Sequence, residues 1–192
     1  MSSDSPAGTP ERPPTLHRPR SHTRSALASS PIPPRRGTPT GLAHFNGAPA
    51  EAAEALLLTC CGSHRWARRV AAHRPYPDLD ALLAACDEAG YDLTAADVHE
   101  ALARESSPGL HPDAHQAAHT ALAAAHAAYE SRFGHAFVIC LDRYGPDEHL
   151  DELLAGIRSR LSHEPDEERS VSADELRALA RSRVARAVAG RP

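Results

Sequence analysis

Apolar positions along this chain recur at helical spacing in block after block from Pro49 onward, with glycines, prolines and capping residues between the blocks. Ala50 to Cys61 carries Leu56, Leu57 and Leu58 and stops at Gly62. Ser63 is a natural N-cap for a helix through Trp66, Val70 and Ala71, which Pro75 and Pro77 end. Asp78 opens the next, with Leu79, Leu82, Leu83 and Cys86 on one face and Gly90 as its stop. Thr94 and Asp97 make a capping-box pair ahead of Val98, Ala101 and Leu102. Residues 105–111 read as a loop, and Pro112 suits the first turn of an alanine-rich helix reaching about Ser131. Pro146 opens another, whose Leu150, Leu153, Leu154, Ile157 and Leu161 form an i, i+3, i+4, i+7 stripe. Pro165 opens a last helical region that runs with some break to about Val188.

Strand signal is confined to Phe137–Leu141, directly after Gly134 stops the alanine-rich helix. Two of the three phenylalanines, Phe133 and Phe137, fall between Tyr129 and Cys140, which marks a packed centre in so aromatic-poor a chain. Buried backbone groups in such a run need partners. Either the run is a core-crossing connector, or a bound ligand supplies those partners. The pattern predicts an all-α fold: a single compact domain of about seven helices over residues 41–192.

Composition changes the picture only at the front. Nine of the 17 prolines lie in residues 1–40, with six arginines and two acids, so this segment is expected to be a disordered Pro/Ser/Arg-rich tail. Its charge of +4 leaves −8 on residues 41–192, which argues against nucleic acid as a partner. No run is apolar enough to span a membrane, and the N-terminus has no secretory apolar core. The four cysteines lack a C-x-x-C spacing, which fits reduced, buried thiols in a cytoplasmic protein.

Three constellations are candidates for chemistry. Arg183 falls on the same face of the last helix as Leu176, Leu179, Ala180 and Ala187, so its guanidinium needs an anion or a route to water. A structural ion pair, with Glu167 or Glu168, and a ligand carboxylate both satisfy it. His111, His115, His119 and His126 gather on one side of a helix, where imidazoles four apart share zinc in some proteins; a solvated face is the simpler account, and no metal is expected. Cys60-Cys61-Gly62-Ser63-His64 offers a Cys/His pair, but thiols that end a leucine-rich helix belong to a core, with Trp66 as the packing anchor.

Phe45-Asn46, Leu57–Ala67 and Arg74-Pro75-Tyr76 resemble the first half of the 2-oxo-4-hydroxy-4-carboxy-5-ureidoimidazoline (OHCU) decarboxylases of urate breakdown. Tyr129–Cys140, Arg160-Leu161, Glu167-Glu168 and Arg183 resemble the second half in order and spacing, so the likeness covers about residues 41–190. It implies an all-helical, cofactor-free, usually dimeric lyase that acts on a small ureidoimidazoline and delivers (S)-allantoin. Loss of CO2 leaves negative charge on carbon and the ring carbonyls, so such a site stabilises an anion and then protonates one face. The resemblance assigns the ring's amide edge to the backbone of Phe137, Val138, Ile139, Cys140 and Leu141, and the substrate's charge to Arg183.

The likeness breaks where the family carries its proton donor, a histidine in a His-Pro pair. Aligned without a gap, that histidine falls on Glu105 and its proline on Ser106; with a six-residue insertion, His111-Pro112 restores the pair. The family's following Ser-x-x-Glu-Gln segment is deleted either way, and its asparagine three before Tyr129 is His126. Glu105 and His111 are therefore the candidate catalytic groups. A diverged member that kept the scaffold without the chemistry, binding a ligand or partner, is the alternative.

Overall fold

The computed structural model describes residues 40–189. The expected disordered tail, residues 1–40, lies outside the described residues but for its last position. Eight helices follow one another: α1 (Thr40–Gly47), α2 (Ala50–Cys60), α3 (His64–Ala72), α4 (Leu79–Tyr91), α5 (Ala95–Leu102), α6 (Gln116–Phe133), α7 (His149–Arg160) and α8 (Pro165–Ala189). The all-α expectation holds, with α1 as the element the periodicity did not separate. None of these helices is long and apolar enough to cross a membrane.

The caps fall where the sequence places them. Ser63 accepts from the Trp66 N–H, Asp78 from the Ala81 N–H, and Thr94 with Asp97 closes a reciprocal capping box. Gly134 ends α6 with φ 76°, a left-handed turn that suits a residue without a side chain. Four expectations need correction. Gly90 lies inside α4, where its missing side chain makes room for Arg177. Pro112 and Pro146 stand in turns ahead of their helices, so α6 starts at Gln116 and α7 at His149. α8 runs unbroken from Pro165 to Ala189. Phe137–Leu141 pairs with no strand among the described residues and is an irregular connector, because the helices around it offer no strand edge.

Two apolar cores form. The larger is built from α1 to α5 around α8, with Leu42, Leu57, Trp66, Leu82, Leu176 and Val184 buried. Trp66 donates its indole N–H to the Cys86 carbonyl at 2.9 Å. Arg74 donates to the carbonyls of Phe45 and Ala48, and Asn46 bonds the Tyr76 backbone in both directions. The smaller core joins α6, α7 and the connector through Leu122, Tyr129, Phe137, Leu153 and Ile157. Tyr129 meets Phe137 edge-on at 5.0 Å, and a side chain on Gly156 would press on the Phe137 ring at 3.2 Å.

A buried arginine joins this smaller core to α8. Arg160 donates from Nε and Nη2 to Glu168 and from Nη1 to the Val138 carbonyl at 2.7 Å, and Nη2 reaches Ser172 and Tyr129 as well. His163 Nδ1 lies 2.9 Å from the other Glu168 oxygen. Burial and the Glu168 acceptor push the Tyr129 phenol up to about 12, so it stays a donor. Burial would raise the Glu168 carboxyl, but hydrogen bonds from Arg160 and Tyr129 outweigh it and hold the group below its ordinary 4.5.

A depressed carboxyl contributes stability that is present above the ordinary glutamate range and lost as pH falls through the folded value. Chemical denaturation between pH 7 and pH 3 should show this acid loss, and Glu168→Gln should flatten it. At pH 7, Arg160→Met should lose about 3–5 kcal/mol, because it strands a buried carboxylate.

Candidate functional site

Three segments converge beside the smaller core. The first is the turn leaving α5, where Glu105 donates its backbone N–H to the Leu102 carbonyl at 3.1 Å. The second is the connector from Phe137 to Asp142. The third is the face of α8 that carries Glu175, Ser182, Arg183 and Arg186.

Arg183 holds the first and third together. Its Nη1 and Nη2 donate to the two Glu105 oxygens at 2.7 and 2.8 Å, a bidentate fork, and Nη1 also reaches the Cys60 carbonyl at 3.1 Å. The Glu105 carboxylate in turn raises the guanidinium's proton affinity. The Arg183 side chain remains 29% exposed, against 9% for Glu105. The expected partners Glu167 and Glu168 are engaged elsewhere: Glu168 with Arg160, and Glu167 3.9 Å from His163. Glu167 and Glu168 lie on the same unbroken helix as Arg183, about 22–24 Å along its axis, so the guanidinium meets Glu105 from the segment after α5 instead.

Ser107 ties the first segment to the second. It accepts from the Phe137 N–H at 3.0 Å and donates to Glu130 at 2.7 Å. An open cavity of about 420 Å³ lies here, lined by Glu105, Ser107, Glu130, His135 and Ala136 among others. Along α8, Glu175 accepts from the Cys140 N–H at 2.7 Å, and Ser182 and Arg186 both bond Asp142. These three positions repeat at i, i+7 and i+11, one stripe of a helix, and that polar stripe is a signal the sequence carried unread.

Of the residues expected to hold a substrate, Phe137 is buried in the aromatic cluster and its N–H is taken by Ser107, which leaves its carbonyl. The Val138 carbonyl is taken by Arg160 and the Cys140 N–H by Glu175. The N–H groups of Val138, Ile139 and Leu141 have no protein partner among the described residues. His111 is placed elsewhere: its side chain is 79% exposed on the turn before α6, with only Asp113 nearby at 3.4 Å. Glu105, Arg183 and the connector are therefore brought together, and His111 is left out.

The other constellations resolve plainly. Among the described residues no group of three or more His, Cys, Asp or Glu side chains is placed to hold a metal ion. His111 and His115 are exposed, while His126 turns inward, its ring centre 6.1 Å from that of Phe137, and its buried Nε2 has no partner among the described residues. Cys60 and Cys61 are buried, and burial pushes the Cys61 thiol up to about 11. His64 Nδ1 lies 2.6 Å from Glu100, so no Cys/His pair forms.

The family model for OHCU decarboxylase matches residues 46–185, most of the chain and all of this site but Arg186. The chain belongs to the OHCU decarboxylase family. Membership places it among the carboxy-lyases of urate breakdown. A crystal structure of an OHCU decarboxylase in the presence of (S)-allantoin is similar at 20% identity and TM-score 0.59, covering 72% of this chain and 97% of that one. A crystal structure of an (S)-allantoin synthase is similar at 17% identity and TM-score 0.53, covering 72% of this chain but 50% of that one. At such identities the likeness shows a shared fold. Comparison with curated proteins gives no match.

The pair of Glu105 and Arg183 should show up as energetic coupling. Unfolding of Glu105→Met, Arg183→Met and the double variant should give an interaction energy of about 1–3 kcal/mol. Strict additivity would mean that the fork contributes nothing to folding.

Proposed function

We propose that this chain decarboxylates 2-oxo-4-hydroxy-4-carboxy-5-ureidoimidazoline to (S)-allantoin without a cofactor, with Arg183 as the carboxylate anchor and Glu105 as the proton carrier. The observation that carries this reading is the fork between Glu105 and Arg183, with Glu105 on the wall of an open cavity that Gly134 to Ala136, just ahead of the connector, also line. Glu105 also stands where the family's histidine falls in an ungapped alignment.

The fork engages both Glu105 oxygens, so the substrate has to release them before Glu105 can act. A substrate carboxylate entering the fork competes with Glu105 for the guanidinium. Only one carboxylate can keep the bidentate fork, and the displaced Glu105 carries in a proton taken from solvent. The bond between the ring carbon and the carboxylate then breaks, CO2 leaves, and the electron pair stays on the ring carbon and its carbonyls. Glu105 returns its proton to that carbon from one side, which sets the configuration of the product. The unpartnered N–H groups of Val138, Ile139 and Leu141 support a role in holding the ring's carbonyl edge.

A second reading has its own observation. The fork is already filled by Glu105 at 2.7 and 2.8 Å, and the His-Pro pair of the sequence stands in solvent. Under it the chain is a catalytically inactive member that binds a ligand or a partner.

One experiment separates them: generate the ureidoimidazoline enzymatically from urate and follow the circular dichroism of allantoin. The chain should accelerate its appearance over the spontaneous reaction. Glu105→Gln should cost about 10²- to 10⁴-fold, the range of a lost acid–base group, while His111→Ala changes nothing. No acceleration by the natural sequence leaves the second reading standing.

A further inference from the structure

We propose that the cavity between one face of α5, the end of α6 and the start of α8 is a second binding site, for a small organic carboxylate with an apolar body. The cavity, about 210 Å³, is more enclosed than the one beside Glu105. Val98, Leu102 and Phe133 give it an apolar floor, and Arg132 and Arg169 stand at its walls with His99 and His135. No carboxylate lines it, although residues 41–192 carry a net −8. A cavity of one sign inside a domain of the other concentrates counter-ions of its own choosing.

Both arginines are available to an anion. Arg132 gives one donor to the His163 carbonyl at 2.8 Å, and its guanidinium lies 5.2 Å from the Phe133 ring centre, which fixes its plane. Other N–H groups of the five that arginine carries are left for a ligand. Arg169 pairs at 2.8 Å with Asp166, one turn away on the same helix, and the Asp166 side chain is exposed. Such a surface pair is weak and yields to a better-enclosed carboxylate. Phe133 and Leu102 then cover the apolar part of the ligand, which a bare inorganic anion lacks.

This site is separate from the fork. Arg169 and Arg183 lie on one unbroken helix, fourteen positions and about 21 Å apart. His135 lines both cavities, so the two abut without sharing a cation.

Calorimetric titration of the full chain tests the assignment with benzoate, with benzamide as its uncharged counterpart, and with inorganic phosphate as an anion without an apolar body. Benzoate should bind at one per chain, and benzamide and phosphate about tenfold or more weaker. Arg132→Ala and Arg169→Ala should each weaken benzoate about tenfold or more, the latter at an exposed position that leaves the fold alone. Arg183→Ala should leave benzoate binding unchanged, which keeps this outcome apart from that of the decarboxylase reading. The assignment is overturned if no saturable binding occurs up to about 10 mM benzoate. It is equally overturned if benzamide or phosphate binds as well as benzoate, or if Arg183→Ala abolishes binding that Arg169→Ala spares.

Discussion

The arrangement around the connector depends on one buried guanidinium. Arg160 leaves the end of α7 and meets α6 at Tyr129, α8 at Glu168 and Ser172, and the connector at the Val138 carbonyl. Taking an ion pair out of water is expensive, and an apolar replacement of the same volume is often as stable. What such a network supplies is geometry. An apolar residue at position 160 would fill the space but would not tell Val138 which way to turn its carbonyl. With that peptide fixed, the neighbouring N–H groups are held in place without being consumed.

The two cores explain why the site lies where it does. Glu105 leaves the core built by α1 to α5 around α8, and the connector spans both cores, with Val138 in the larger one and Phe137 in that of α6 and α7. α8 runs past both and carries the groups that engage each: Arg183 toward Glu105, and Glu175, Ser182 and Arg186 toward the connector. Ser107 closes the remaining gap by bonding Phe137. The site thus draws its residues from separate stretches of sequence, and the helices set their spacing.

Much of this was legible in the sequence, for physical reasons that differ from residue to residue. The helices were readable because Ser63, Asp78, Thr94 and Gly134 act locally, through their own side chain or its absence. Starts marked by proline misled: Pro112 and Pro146 fit a first helical turn but fit the turn before it equally well. Gly90 misled because its reason is tertiary, the approach of Arg177 from α8. Arg183 stood out as a charge on an apolar face, yet its partner did not, since nothing local says that Glu105 will fold against a helix 78 residues later. The Arg160 network was unreadable in the same way. Its acceptors, Glu168, Ser172 and a backbone carbonyl, are ordinary residues until packing removes their water.

Arg160 and Arg183 show how the surroundings of a cation divide structure from chemistry. Both lie against apolar helix faces, and both are paired with a glutamate through more than one hydrogen bond. Arg160 is 7% exposed, and its protein partners include two hydroxyls and a carbonyl besides the carboxylate. No approaching anion can displace so many contacts at once, so its role ends with the fold. Arg183 is 29% exposed, and one carboxylate with one carbonyl is all it holds. A single carboxylate is what another carboxylate replaces at least cost, because charge and shape are matched before and after. The fork is thus the place where this scaffold can exchange a protein carboxylate for one from outside, whereas the Arg160 network has no such opening.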